Sequence, residues 1–358
     1  MLLKLKYWKI FPVFVFVLLT AAYKVRPSST SAESLAKSDI TQQQVDQIVL
    51  TLSGHDAPVE ALSISPEGKI LVSGSADNTV KVWNLHNGKL LRTLKDHKGR
   101  VTSVAIAPDG EILITGSDDS TIKIWNLKTG ELISTLNQSE AVVTSIVITP
   151  DGKKFIGAST DKIIKVWNLK NQELEKTFKA DTASLGISGD GKTLFSGNND
   201  GTIHLFDFSS GKLLQILTPP LPKNPDFDFQ KASAVSSIAV SNDGKTLVNS
   251  GYDDTHLSIQ ETDGKNIKVW NLQTGTLIHN FSVGIGSIDA VAISPDGKTF
   301  ASGGYAYEIS LWDVTTGKRL RTLSAKQGGV KALAFSKDGK ILVSSSGNKS
   351  IKVWRLSH

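Results

Sequence analysis

Residues 66–85 read PEGKILVSGSADNTVKVWNL, and the pattern returns as PDGEILITGSDDSTIKIWNL at 108–127 and PDGKKFIGASTDKIIKVWNL at 150–169. Each copy opens on a tight turn: Pro or a neighbour sets φ, an acidic side chain caps its own backbone, and Gly takes the positive φ that closes a hairpin. Each copy closes on an aromatic residue. Moving outward along the chain, the closing aromatics are Trp83, Trp125, Trp167, Phe206, Trp270, Trp312 and Trp354, at gaps of 42, 42, 39, 64, 42 and 42. Six of the seven tryptophans share this register. The turn stands sixteen residues ahead of most of these aromatics. Only NDG at 242–244 is displaced, by an insertion.

A fixed period of this length identifies a repeat architecture. Within the first unit, Val59–Ser65, Ile70–Gly74, Thr79–Asn84 and Lys89–Leu94 read as four short strands separated by turn residues. A four-stranded sheet cannot bury both faces by itself, so such sheets stack radially about an axis. One large aromatic at a fixed place per unit supplies the contact between neighbouring sheets. The expected fold is all-β: a seven-bladed β-propeller of four-stranded antiparallel blades.

With these residues in hand, the chain resembles the WD-repeat family, in a bacterial, exported or membrane-anchored type. The resemblance covers residues 47–358. It mostly has Trp-Asn where the family has Trp-Asp, and Trp-Arg in the last repeat. The family's His–Ser/Thr–Asp–Trp hydrogen-bond tetrad maps onto His55, Ser73, Asp77 and Trp83, and again onto His97, Thr115, Asp119 and Trp125. Repeats three and four keep only Asp161 and Asp200, while repeats six and seven have Ala306 and Asn348 there. The resemblance also implies that Gln47–Leu52 supplies the outer strand of the seventh blade, closing the ring. It places the family's contact positions at Glu60, Thr102, Thr144, Ala183, Ser236, Asp289 and Lys331, a mixed and mostly small set with no catalytic constellation.

The remaining sequence divides simply. Lys4, Lys6 and Lys9 precede the apolar run IFPVFVFVLLTAA at 10–22, so residues 1–26 read as a signal peptide or a retained N-terminal membrane anchor. Either reading exports the rest of the chain. Residues 27–46 are small and polar and read as a flexible linker. Residues 1–46 hold six basic and three acidic side chains, which leaves 34 basic against 31 acidic over the rest. So even a charge balance is that of a mixed solvated surface and gives no argument for nucleic acid. With no cysteine, disulfides, thiolate metal sites and cysteine nucleophiles are excluded.

Function is expected where the period breaks. Insertions at 218–234 and 251–266 belong to the fifth repeat, and GGYAYEIS at 303–310 lies beside them in the sixth. They gather Phe227, Phe229, Tyr252, Asp253, Asp254, Tyr305 and Tyr307 as a candidate partner-binding rim, with Asp226 and Asp228 among them. Aromatics with acidic neighbours on irregular loops have the composition of a recognition site. The aspartates lack the ordered ligand spacing of a calcium loop, so no metal and no cofactor is expected. The Ser–His–Asp grouping invites a hydrolase reading, but it recurs in two repeats and has no oxyanion hole beside it. The expectation is a monomeric, non-enzymatic scaffold for a protein or peptide partner outside the cytoplasm. The alternative is a propeller enzyme or small-molecule binder with a site at the mouth of the central channel.

Overall fold

The computed structural model describes residues 47–137, 141–220, 234–251, 266–281, 287–305, 307–324 and 328–357. The segments read as signal or anchor and as linker, 1–26 and 27–46, lie outside these residues. The chain divides between Gln43 and Gln44, and every described residue falls in the C-terminal unit. Among the described residues no helix is long and apolar enough to cross a membrane.

The described residues form seven four-stranded antiparallel sheets, each built from strands consecutive in the chain except at the ends. In blade one these are an inner strand Val59–Ile64, a second Ile70–Ser75, a third Val80–Asn84 and an outer Leu90–Leu94. The expected inner and third strands run one residue longer because Ser65 and Thr79 are taken by turns, the expected outer strand starts one residue early at Lys89, and the expected second strand stops one residue short at Gly74. Ser65 Oγ accepts the Ile70 N–H, and the Thr79 hydroxyl donates to Asp77. The inner strands of successive blades neighbour one another around the ring, and those of blades seven and one meet. Gln47–Leu52 pairs antiparallel with Ile351–Arg355, in the order outer, third, second, inner, so the last sheet is made from both ends of the propeller.

Burial follows position in the sheet. Second strands are buried almost throughout, while outer strands begin exposed. The second strand can lie so close to the next blade because it carries Gly74, Gly116, Gly197 or Gly303. A Cβ at any of these would stand 2.5–2.6 Å from the inner-strand Val101, Val143, Val235 or Val330 of the following blade. Each inner strand also carries a register shift after its first residue. Four inner-strand serines bridge blades on this side. Ser63, Ser103, Ser145 and Ser237 accept the N–H of Ile106, Ile146, Leu185 and Val291 in the next blade, giving partners to edge groups that the sheet itself leaves unpaired.

Candidate functional site: buried tetrads and the aromatic turn of blade six

The tetrad side chains of blade one come from four places. His55 lies ahead of the inner strand, Ser73 on the second strand, Asp77 in the turn after it, and Trp83 on the third. Trp83 Nε1–H donates to Ser73 Oγ at 2.9 Å, and the Ser73 hydroxyl meets His55 Nε2 at 2.8 Å. His55 Nδ1 meets Asp77 Oδ2 at 2.7 Å. Because Asp77 accepts, the ring carries its proton on Nδ1. Ser73 therefore donates to Nε2 while accepting from the indole. Blade two repeats the chain through Trp125, Thr115, His97 and Asp119 at 2.9, 2.7 and 2.8 Å.

The electrostatics are those of a closed network. Burial lowers the pKa of both histidines, and the hydrogen bonds and charges of Asp77 and Asp119 offset it only in part. Burial works to raise the pKa of Asp77. Hydrogen bonds from the Thr79 hydroxyl, the Asp56 N–H and His55 outweigh it and hold the carboxyl at about 2. Asp119 is held at about 2 in the same way by Thr121, the Lys98 N–H and His97. Ser73 and Thr115 are fully buried beneath their tryptophans. A hydroxyl so placed has the partners of a nucleophile but no path to a substrate.

Part of this network persists in blades lacking the histidine, which the sequence reading passed over. Trp312 donates to Ser302 and Trp354 to Ser344, each at 2.9 Å, and Trp270 donates to Asn249 at 2.8 Å. Blade three has Gly157 in that place, and Trp167 instead stacks on Phe155 at 5.1 Å. In blade four the aromatic is Phe206, which has no N–H, and Ser196 turns to Thr182 and Asn198. The Asn that replaces Asp after the tryptophan caps the next turn. Asn84, Asn126, Asn168 and Asn271 accept its backbone N–H groups, as Asp207 and Asp313 do in their blades.

Strand order sends the turns between second and third strands, and the connections between blades, to one face. The other turns lie on the opposite face. Of the expected rim, Phe227, Phe229, Tyr252, Asp253 and Asp254 lie outside the described residues, as do Asp226 and Asp228. Tyr305 and Tyr307 are described. They stand 63% and 46% exposed with ring centroids 5.9 Å apart and planes tilted by 32°. Tyr307 has φ of 59°, the left-handed position of its turn, filled elsewhere by Asn78, Ser120, Lys162, Gly201 and Lys349. A bulky aromatic is unusual there.

At the contact positions, the Thr102 hydroxyl donates to the Gly116 and Val143 carbonyls, and Thr144 to that of Thr182. Lys331 and Asp289 pair at 2.8 Å. Among the described residues no group of three or more His, Asp or Glu side chains could hold a metal ion. A cleft of about 310 Å³ is present, but it lies between blades three and four on the face opposite Tyr305, lined in part by Pro150, Asp151, Lys176 and Phe208.

Residues 58–247 match the family model described as the IFT122 first beta-propeller, and 275–313 and 317–355 each match the WD domain, G-beta repeat. Protein HIRA of Zea mays is 48% identical over 42 residues, 12% of this chain and 4% of that protein. Eukaryotic translation initiation factor 3 subunit I of Aspergillus niger is 40% identical over 42 residues, 12% of each chain. Autophagy-related protein 16 of Arabidopsis thaliana is 33% identical over 79 residues, 22% of this chain and 13% of that protein. These relatives are eukaryotic, nothing in the matches points to a bacterial type, and the chain spans only a small fraction of each relative's length.

Proposed function

The chain belongs to the WD-repeat β-propeller family, and we propose that it works as a non-enzymatic platform that binds a protein or peptide partner through the face bearing the turns between second and third strands. One contrast carries this reading. The groups that could do chemistry, Ser73, His55 and Asp77 with their counterparts in blade two, are buried or half-buried and spend their hydrogen bonds on one another and on the adjoining threonine and backbone N–H groups. Among the described residues, the large apolar side chains left exposed on that face are Tyr305 and Tyr307. Exposed tyrosines on a rigid base are a composition of recognition surfaces. WD-repeat propellers as a family mediate protein–protein interaction, and the relative named as a subunit of an initiation factor is, by that name, part of a larger assembly.

The proposed rim is 219–231, 252–263 and 305–307, next to one another in strand order, and the protein acts there as a monomer without nucleic acid. We also place it outside the cytoplasm, by signal or by membrane anchor, on the basic and apolar pattern of residues 1–26. Shortening both fifth-blade loops to the length found in the other blades, followed by crosslinking and partner recovery, tests the rim. Recovery of the same partners at the same affinity by a folded shortened protein sinks it. A reporter that is active only after export, fused after His358, tests the location. Activity confined to the cytoplasm would overturn it.

A further inference from the structure

Lys81 and Lys123 stand at the same place on the third strands of blades one and two, two residues ahead of the tetrad tryptophan. They are 8% and 6% exposed. Each ammonium donates to the threonine paired with it on the outer strand, Lys81 to Thr93 at 3.1 Å and Lys123 to Thr135 at 3.0 Å. Beyond that hydroxyl the two blades differ. Lys123 also donates to the Asp96 carboxylate and holds its pKa below the ordinary 3.8. Asp96 lies one residue ahead of His97, whereas the residue one ahead of His55 is Gly54, which has no side chain. Among the described residues Lys81 has Thr93 as its one hydrogen-bond partner and no carboxylate within ion-pair distance. Asp77 is committed to His55, the Thr79 hydroxyl and backbone N–H groups, and neither it nor Asp56 pairs with Lys81. An ammonium offers three N–H donors, and a buried charge is ordinarily paired.

Resting, for the source of the group, on the reading of this face as an interaction platform, we propose that Lys81 is the seat of a carboxylate carried by an Asp or Glu side chain of the partner. The chain itself shows that the place takes this group, since Asp96 fills it in blade two with a side chain 46% exposed. In blade one the residues at that place, Ser53 and Gly54, are exposed, so a carboxylate can come to Lys81 from solvent. They lie in the connection from the closing strand to the inner strand of blade one, on the face that bears Tyr305 and Tyr307. A Cβ at Gly54 would stand 3.2 Å from the Trp83 ring, and its φ of 156° suits glycine, so this backbone does not readily carry an acid of its own. The two oxygens of a carboxylate suit the two donors that Lys81 has left, in charge-assisted hydrogen bonds. One ammonium matches one negative charge, which favours a carboxylate over a phosphate.

The test uses the full chain with isotope-labelled lysine, its ε-methylene signals followed by NMR at fixed ionic strength. The probes are acetyl-Gly-Glu-Gly-amide, its Gln counterpart, and sodium acetate balanced by sodium chloride. The Glu peptide and acetate are each expected to move one lysine signal saturably, and the Gln peptide none. That signal should be the one missing from Lys81→Met. Asp96→Gly uncovers the same seat in blade two, so two signals should then saturate, with affinities within about threefold of each other. This count carries the test if Lys81→Met fails to fold. No saturable signal, equal movement by the Gln peptide, response to acetate alone, or a count that stays at one in folded Asp96→Gly overturns the assignment. Partner recovery by crosslinking that Lys81→Met leaves unchanged, with no binding of the Glu peptide, overturns it while the interaction platform stands. A wild-type chain that binds the Glu peptide yet recovers no partner overturns the platform instead.

Discussion

His55 and His97 are buried with both ring nitrogens engaged, and burial lowers the pKa of each below its ordinary 6.5. A base whose folded pKa is depressed binds its proton more readily in the unfolded chain. Stability is therefore fully present above about pH 6.5 and is lost as pH falls from there through the lower folded values. Asp77 and Asp119, held at about 2 against an ordinary 3.8, add a second loss as pH falls below about 4 toward 2. The urea midpoint is expected to drop between pH 7.5 and 5.5, and to drop less in a His55→Gln/His97→Gln double variant. Equal slopes in the two proteins would remove the histidines from the account. A second comparison separates whole tetrads from partial ones. Thr115→Val leaves two groups without a partner, the Trp125 N–H and His97 Nε2, whereas Ser344→Ala leaves the Trp354 N–H. At about 1–3 kcal/mol per orphaned buried group, Thr115→Val should cost clearly more than Ser344→Ala in urea melts, and equal costs would contradict this partition. The complete tetrads were legible because His, Ser or Thr, Asp and Trp recur at fixed offsets. The partial ones were not, because a serine opposite a tryptophan is a common residue whose meaning depends on the cross-strand register.

Individual strands show what the periodic pattern could and could not transmit. Strand centres followed directly from Val, Ile and Trp at alternating positions, and the seven turns from six Asp-Gly pairs and the Glu-Gly pair of blade one. A second regularity went unread because it conserves a place and not a residue type. The outer-strand residue paired with the residue just before the third-strand aromatic reaches to the next blade: Arg92 to the Thr129 carbonyl, Lys176 to that of Ser209, His279 to that of Thr315, and Arg321 to that of Ser357. Four blades use three chemically different donors. Just before this residue the outer strands of blades one to six skip a pairing, at Leu91, Ile133, Glu175, Leu214, Ile278 and Leu320. All but Glu175 are exposed aliphatics. A bulge turns the edge away from a flat template, which protects these strands from pairing with another chain. Arg92→Ala should lower stability by about 0.5–1.5 kcal/mol, the worth of one partly exposed hydrogen bond. It should also speed amide exchange in the turn around Thr129 before other turns are affected. Unchanged exchange there would show that the Arg92 contact holds nothing.

For the whole molecule, the decisive feature is that one sheet is assembled from two distant parts of the chain. Leu52 and Leu94 are equivalent residues, each three positions ahead of a tetrad histidine, and each is buried. Leu94 packs among Val80, Val82, Val101 and Trp125, between blades joined by a short connection. Leu52 packs among Val59, Leu71, Trp83, Val343 and Val353, between blades seven and one, where the strand Gln47–Leu52 is what links the two ends. Truncating either to alanine removes the same atoms from a well-packed site, a cost of about 2–5 kcal/mol. The consequences should differ in extent. Behind Leu94 the chain itself keeps the blades together, so opening should stay within blades one and two. Behind Leu52, release of the closing strand exposes a sheet edge on blade seven and a face of blade one at once. Rejoining them carries the entropy of closing a loop that spans the propeller. Hydrogen exchange under native conditions is the measurement. Leu52→Ala should accelerate amides in Ile351–Arg355 and in the inner strand of blade one together, at low denaturant, as one sub-global opening. Leu94→Ala should leave Ile351–Arg355 protected. If both variants open the same blades to the same degree, ring stability is shared evenly around the propeller and the closing strand has no special part in it.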